Sequence, residues 1–136
     1  MVYITRKETF SAAHRLSRSD WSADKNLEIF GKCANPNWHG HNYILWITVK
    51  GEVNPETGFL TNLSDLSVLV KKNVLDKVDH KNLDLDVDFL KGKYTSTENL
   101  AVEIWNQLVK PISGLGCALH CVKIQETEKN SVEYFG

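Results

Sequence analysis

The chain has 136 residues, of which 42% are hydrophobic and 24% charged, and its formal net charge is -1. A chain of this size holds one domain with a substantial core, so we expect a single domain over residues 1–136 and exclude intrinsic disorder. The balanced charge excludes non-specific attraction to nucleic acids and anionic membranes, and no window reaches the roughly 18 apolar residues of a membrane span. Three cysteines favour reduced thiols over a disulfide framework, so we expect a soluble intracellular protein.

The first part of the chain predicts two strands with a long loop between them. Residues 2–14 alternate in polarity, with Ala12 and His14 on the same face. Residues 39–50 carry apolar side chains on both faces, which predicts a strand that is covered on both sides. The intervening residues 15–38 show no periodicity, and an ordered loop of that length is usually functional.

The second part predicts two helices and then two strands. Apolar residues at three-to-four spacing predict a helix at about 63–77, followed by a polar and irregular segment. The spacing of Thr95 and Glu98 is that of a capping box, which predicts a second helix at about 97–109 that ends before Pro111.

The last two predicted strands span about 118–127 and 132–135 and are joined by a tight turn. The order of elements predicts an α+β fold, with a four-stranded antiparallel sheet and two helices between the strand pairs. Such a sheet leaves one face and two edges open, so we expect the chain to oligomerise.

Three histidines form a candidate metal site. His39 and His41 lie two positions apart on one strand and therefore project from the same face, and His14 ends the inward row of another strand. Three imidazoles with an open fourth position are typical of a catalytic zinc. The alternative is that these are partly buried polar side chains that bond to the backbone.

The cysteines divide into one candidate catalytic thiol and two structural residues. Cys33 lies in a loop rich in turn residues that leads into the strand of His39 and His41, so the loop can bring the thiol beside the metal. A thiol acts as a base only as thiolate, which requires a nearby positive charge or donor. The alternative for Cys33 is a small buried side chain, which is how we interpret Cys117 and Cys121.

Two acidic groups have an ambiguous meaning. Asp79 could fix the tautomer of the adjacent His80, but neighbouring residues on a strand point to opposite faces, so this pairing needs an irregular backbone or separate partners. Glu126, near the end of a strand, is either a solvated surface acid or a buried carboxylate that accepts two parallel N–H bonds from a heterocycle.

The order of motifs along nearly the whole chain closely resembles the animal-type 6-pyruvoyl-tetrahydropterin synthase family. Five residues separate Cys33 from His39, as in the animal enzymes, whereas bacterial relatives that form 6-carboxy-tetrahydropterin have a shorter gap. The segments that carry the resemblance are 10–16, 30–33, 35–37, 39–43, 58–66, 75–84, 96–99 and 126–127.

The resemblance implies the tunnelling fold, in which three subunits join their four-stranded sheets into a twelve-stranded barrel and two trimers form a homohexamer. It implies conversion of 7,8-dihydroneopterin triphosphate into 6-pyruvoyl-tetrahydropterin and triphosphate, in cytoplasmic tetrahydrobiopterin synthesis, with no external hydride donor. It also implies active sites between subunits, so that Cys33 and the Asp79–His80 pair can come from neighbouring chains.

The resemblance also implies a role for each candidate residue. Zinc ligation would fall to His14, His39 and His41, proton abstraction to Cys33 with Asp79 and His80 completing a catalytic triad, pterin anchoring to Glu126, and further substrate contacts to Thr97 and Glu98. Trp38 departs from the family pattern, which has a small residue there, often Gly. A bulky indole could narrow the mouth of the site, but its parity favours packing on the opposite face of the strand.

Two other functions remain open at the level of sequence. A related enzyme of this fold would cleave the same substrate to a 6-carboxy or 6-hydroxymethyl pterin, although Cys33 and its spacing argue against that. A zinc-stabilised oligomeric binding module would use Cys33 structurally and would have no turnover to lose.

Overall fold

The computed structural model describes residues 1–136 and is built on a twisted sheet. The chain runs through β1 (Val2–His14), α1 (Ala23–Phe30), β2 (His39–Gly51), α2 (Leu63–Val70), α3 (Asp76–Val78), β3 (Lys81–Asn82), α4 (Thr97–Ser113), β4 (Ala118–Thr127) and β5 (Asn130–Tyr134). A π-helical turn over Lys71–Leu75 joins α2 to α3. The predicted helix at 63–77 therefore exists, with a widened turn inside it.

The sheet has five strands in the order β3-β1-β2-β4-β5. The four long strands are antiparallel to their neighbours, as predicted, whereas β3 adds a two-residue parallel bridge to Ala12 and Ala13 of β1. The sequence prediction of four strands missed this bridge because two residues carry no periodicity. Most of β1 and all of β5 remain open edges.

The core lies between one face of the sheet and the helices. Alternation along β2 and β4 brings apolar side chains onto this face, and the apolar stripes of α2 and α4 pack against them. Fully buried residues of this core include Leu45, Ile47, Ile124, Leu66, Ile104 and Leu108. No helix in the structure combines the length and the apolar composition that a membrane span requires.

Two helical predictions are corrected by the structure. The loop predicted over residues 15–38 contains α1 and a 3₁₀ turn at Gly31–Ala34. The predicted end of the last helix before Pro111 is also wrong, because α4 continues to Ser113. Proline removes one N–H donor from the last turn, but the fully buried Ile112 keeps this turn packed on the core.

The central position of α4 gives a testable consequence for stability. Leu108→Ala should lower the free energy of unfolding by about 3 kcal/mol, because it leaves a cavity at a fully buried site. Leu27→Ala is the matched control, since Leu27 is 61% exposed and its loss should cost less than about 0.5 kcal/mol. Equal urea midpoints for the two variants would contradict this placement of the core.

Candidate functional site

The register of β1 and β2 brings three histidines together. His14 at the end of β1 lies opposite His39 at the start of β2, and His41 follows two residues later on the same face. The ring centroids are 4.6 Å apart for His14 and His39, 4.9 Å for His39 and His41, and 5.1 Å for His14 and His41. The structure therefore assembles the predicted trio from strand parity alone.

A fourth potential ligand, Glu126, joins the histidines from β4. Its Oε1 lies 2.8 Å from His41 Nε2 and 3.3 Å from His14 Nε2, and the ligand atoms of all four residues lie within 4.8 Å of one another. Oε2 accepts a hydrogen bond from the hydroxyl of Thr97, the first residue of α4, at 2.8 Å. Glu126 is therefore a partly buried carboxylate facing the cluster, which excludes the solvated surface acid.

Two β-bulges determine where Glu126 points. In β4 the register against β2 shifts between Leu119 and Cys121, which puts Glu126 on the inner face with Val122 and Ile124. A second shift, between Gln125 and Thr127, leaves Glu126 itself without a partner on β5. Bulges commonly redirect side chains next to functional sites.

The protonation of the histidines suits a cation. His14 is 1% exposed, and its Nδ1 donates to the carbonyl oxygen of Thr95 at 2.7 Å, which leaves its Nε2 facing the other ligand atoms of the cluster. Burial lowers the pKa of His39 and of His41, so both rings are neutral near pH 7. His39 Nδ1 is buried without a hydrogen-bond partner, and the buried Nε2 atoms of His14 and His41 face only the Glu126 carboxylate, so the residues present fit a divalent metal.

Cys33 reaches the same region from the 3₁₀ turn. The backbone N–H of Leu16, just past β1, donates to the Cys33 carbonyl at 2.8 Å and ties the turn to the end of that strand. A cavity of about 310 Å³ is lined by the predicted residues His14, Cys33, Thr97, Glu98 and Glu126. Five of the nine predicted site residues thus line one cavity. His39 and His41 are connected to it through the metal-ligand cluster, because His14 and Glu126 belong to both.

The surroundings of Cys33 within the chain do not activate it. Burial, and secondarily the charge of Glu126, raise the pKa of the thiol. A thiolate needs a positive charge or a hydrogen-bond donor beside it, and neither burial nor Glu126 provides one. In the isolated chain Cys33 is therefore the neutral thiol at pH 7.

The influence of Glu126 on Cys33 predicts a shift in thiol reactivity. In the metal-free protein, Glu126→Gln removes a negative charge that disfavours the thiolate, so the pKa of Cys33 should fall. The pH profile of Cys33 alkylation, followed by peptide mass spectrometry, should move to lower pH. Glu128→Gln, in the exposed β4–β5 turn, is the control and should leave the profile in place. An unchanged or upward shift in Glu126→Gln would contradict the assignment.

Asp79 and His80 form a pair away from this cavity. His80 has a left-handed backbone with φ of 59°, and this irregularity lets its Nδ1 approach Asp79 Oδ1 at 2.9 Å. The backbone N–H of Ser11 and then His80 lower the pKa of Asp79. His80 is 83% exposed and lines a separate cavity of about 440 Å³ together with Ser11 and Asn42, which have the parity of the outer face.

Sequence reasoning missed the roles of three residues near the site, which are Thr95, Asp84 and Tyr43. Thr95 is not the N-cap of α4, because Ser96 fills that role; the fully buried Thr95 instead bonds to His14 and, through its hydroxyl, to Asp84.

Tyr43 follows His41 on the inner face and has a buried hydroxyl without a partner. Burial raises the pKa of Tyr43 well above its usual range. Only the parity of Tyr43 with the histidines signalled any of this.

Trp38 lies at the end of the sheet next to His39. Its Nε1 donates to Asp84 Oδ2 at 2.8 Å, and the Arg15 guanidinium lies 6.0 Å from its ring. Trp38 lines a cavity other than the one that contains Cys33, so within the chain the indole does not narrow the candidate site.

Comparisons with known proteins match nearly the whole chain. The family model for 6-pyruvoyl tetrahydropterin synthase matches residues 3–136. The chain is 45% identical over 133 residues to the 6-pyruvoyl tetrahydrobiopterin synthase of Homo sapiens, covering 98% of this chain and 90% of that protein. It is 46% identical over 135 residues to the synthase of the same name from Dictyostelium discoideum, covering 99% and 96%. The solved structure of Caenorhabditis elegans 6-pyruvoyl tetrahydropterin synthase superposes with a TM-score of 0.91 at 42% identity, covering 99% and 95%.

Proposed function

Since this chain belongs to the 6-pyruvoyl tetrahydropterin synthase family, we propose that it is a triphosphate-eliminating lyase of tetrahydrobiopterin synthesis. Its substrate is 7,8-dihydroneopterin triphosphate and its products are 6-pyruvoyl-tetrahydropterin and triphosphate. The observation that carries the proposal is the cluster of three imidazoles and a carboxylate beside a cavity that Cys33 also lines. The whole of residues 1–136 acts as one catalytic domain.

The metal in this proposal is zinc, held by His14, His39 and His41. Imidazole ligands suit zinc, and the three buried ring nitrogens that converge beside Glu126 support this assignment. When bound, zinc supplies Lewis acidity toward oxygen atoms of the substrate side chain. The neutral state of His39 and His41 favours ligation, because no proton has to be displaced.

Cys33 is the general base of the proposed reaction. It removes a carbon-bound proton from the side chain of the substrate, and a proton is delivered to the pterin ring, so that side-chain oxidation and ring reduction balance without an external redox partner. Loss of triphosphate then yields the diketo side chain. The position of the thiol in the cavity beside His14 supports this role.

The remaining residues of the cavity bind the substrate. Glu126 anchors the pterin, because a carboxylate matches an amino group beside a ring N–H. The Thr97 hydroxyl holds one of its two oxygens at 2.8 Å and so fixes its orientation. Glu98, next to Thr97 on the first turn of α4, lines the same cavity and provides a further contact.

Asp79 and His80 complete the catalytic triad with a Cys33 from a neighbouring subunit. Their pairing at 2.9 Å, the high exposure of His80 and its cavity on the outer face support an action outside their own chain. The open edges along β1 and β5 support side-by-side joining of three sheets into a twelve-stranded barrel, with two trimers in a homohexamer.

The identity of the product tests this proposal against its alternatives. The zinc-loaded protein is incubated with 7,8-dihydroneopterin triphosphate, and the pterin product is identified by mass spectrometry. A 6-pyruvoyl product supports the proposal, whereas a 6-carboxy or 6-hydroxymethyl pterin would overturn the reaction but keep the site. Binding without turnover by folded, zinc-loaded protein would favour the binding module.

A further inference from the structure

Asp84, in the loop after β3, links three segments that lie next to the histidine cluster. Its carboxylate accepts hydrogen bonds from the backbone N–H of Arg15 at 2.8 Å, from Trp38 Nε1 at 2.8 Å and from the Thr95 hydroxyl at 2.7 Å. These donors follow β1, precede β2 and precede α4, respectively. One partly buried carboxylate therefore holds together the end of β1 at His14 and the start of β2 at His39.

The link to His14 runs through Thr95. The Thr95 side chain donates to Asp84 Oδ1, and the Thr95 carbonyl oxygen accepts from His14 Nδ1 at 2.7 Å. A carbonyl oxygen can only accept, so this bond fixes the tautomer of His14 and leaves Nε2 free to bind a metal. Because Thr95 is fully buried, its backbone cannot shift without breaking the bond to Asp84 or moving the His14 ring.

The link to His39 runs through Trp38. Trp38 has φ of 60°, a left-handed conformation that is strained for a bulky residue and persists only where its surroundings hold it. The bond from its indole N–H to Asp84 is one such restraint. Since Trp38 immediately precedes His39, its backbone conformation sets the direction in which β2 begins.

We propose that Asp84 is a positioning residue for the metal site, which it builds by orienting His14 through Thr95 and His39 through Trp38. The inference rests on the proposed binding of a metal by the histidines. Partners that orient ligating groups in this way typically contribute 10–100-fold to metal affinity. Asp84 contacts none of the ligands directly, so its effect on the metal site must pass through Thr95 and Trp38.

The test measures zinc affinity of the full-length protein by chelator competition, together with the visible spectrum of the cobalt-loaded protein. Asp84→Asn keeps the size of the side chain but removes its charge and replaces one acceptor oxygen with a donor, so the Arg15 N–H, the Trp38 indole N–H and the Thr95 hydroxyl can no longer all donate to it. Zinc affinity should fall at least about tenfold and the cobalt spectrum should change. Asp86→Asn is the matched control, because Asp86 accepts from the backbone N–H of Asn82 in the same loop and should keep the wild-type affinity and spectrum.

A second pair of variants separates positioning from packing and decides the matter if Asp84→Asn does not fold. Thr95→Val removes the hydroxyl and should weaken zinc binding as Asp84→Asn does, whereas Thr95→Ser keeps the hydroxyl and should restore affinity. Equal loss in Thr95→Val and Thr95→Ser, or wild-type affinity in both Asp84→Asn and Thr95→Val, would overturn this inference alone. Failure of the wild-type protein to bind zinc would overturn the proposed metal site as well.

Discussion

Replacing Cys33 with alanine is expected to lower kcat for 7,8-dihydroneopterin triphosphate by roughly 10²–10⁴-fold, the usual contribution of a positioned general base. The reason is geometric, because Cys33 is the one thiol that lines the cavity shared with His14, Thr97 and Glu126. KM and zinc content should stay close to wild type, since the thiol is not among the proposed metal ligands. Steady-state kinetics with metal analysis of the same samples measures all three quantities.

Cys121→Ala is the matched control for this loss. Cys121 is buried on β4 and lines a separate cavity that includes none of the predicted site residues, so its removal should leave kcat unchanged. A Cys33→Ala protein that turns over at the wild-type rate would remove Cys33 from the mechanism. A parallel loss in Cys121→Ala would attribute the effect to packing.

Replacing His41 with alanine should abolish both stoichiometric zinc binding and turnover. His41 supplies one of three clustered imidazoles, and the only polar group beside its Nε2 is the Glu126 carboxylate at 2.8 Å. Loss of the metal should cost about 4 kcal/mol of transition-state stabilisation, or roughly a thousandfold in rate. Metal analysis after dialysis and triphosphate release measure the two effects.

His120→Ala provides the matched histidine control. His120 lies on β4, where its ring packs against Tyr3 at 4.7 Å and Phe135 at 5.6 Å, remote in contacts from the cluster. This variant should keep its zinc and its rate. If His41→Ala retained one zinc per chain and full activity, the histidine cluster would not be the metal site.

The histidine cluster was predictable from sequence because it depends on strand parity. Every second residue of β1 and β2 faces inward, so the apolar rows that include Ala12 and Tyr43 also place His14 and His41 on that face. The two strands pair along their whole length of 13 residues each with no bulge between them, and the pairing of His14 with His39 follows from their register.

The position of Glu126 was not predictable in the same way. Counting alternate residues from Leu119 would place Glu126 on the outer face, and only the bulge between Leu119 and Cys121 returns it to the inner one. A bulge is set by the pairing of two strands distant in sequence, which the residues of β4 alone do not reveal.

Helix α1 escaped prediction because its buried face is polar. Its one buried residue is Asn26, whose side chain bonds to the backbone of Arg18, Trp21 and Ser22, while Leu27 points to solvent. Apolar periodicity therefore carries no signal here. The local cue was Ser22, which caps the helix by accepting from the N–H of Lys25.

The proposed zinc-dependent reaction is tested most directly by a zinc titration of the chelator-stripped wild-type protein in the presence of 7,8-dihydroneopterin triphosphate. The amounts of triphosphate and of pterin product are measured in the same samples. We expect turnover to appear with zinc, to saturate near one zinc per chain, and to release one triphosphate for each 6-pyruvoyl-tetrahydropterin without any added redox cofactor. A folded, zinc-saturated protein that releases no triphosphate, or equal turnover with and without zinc, would contradict the proposed reaction.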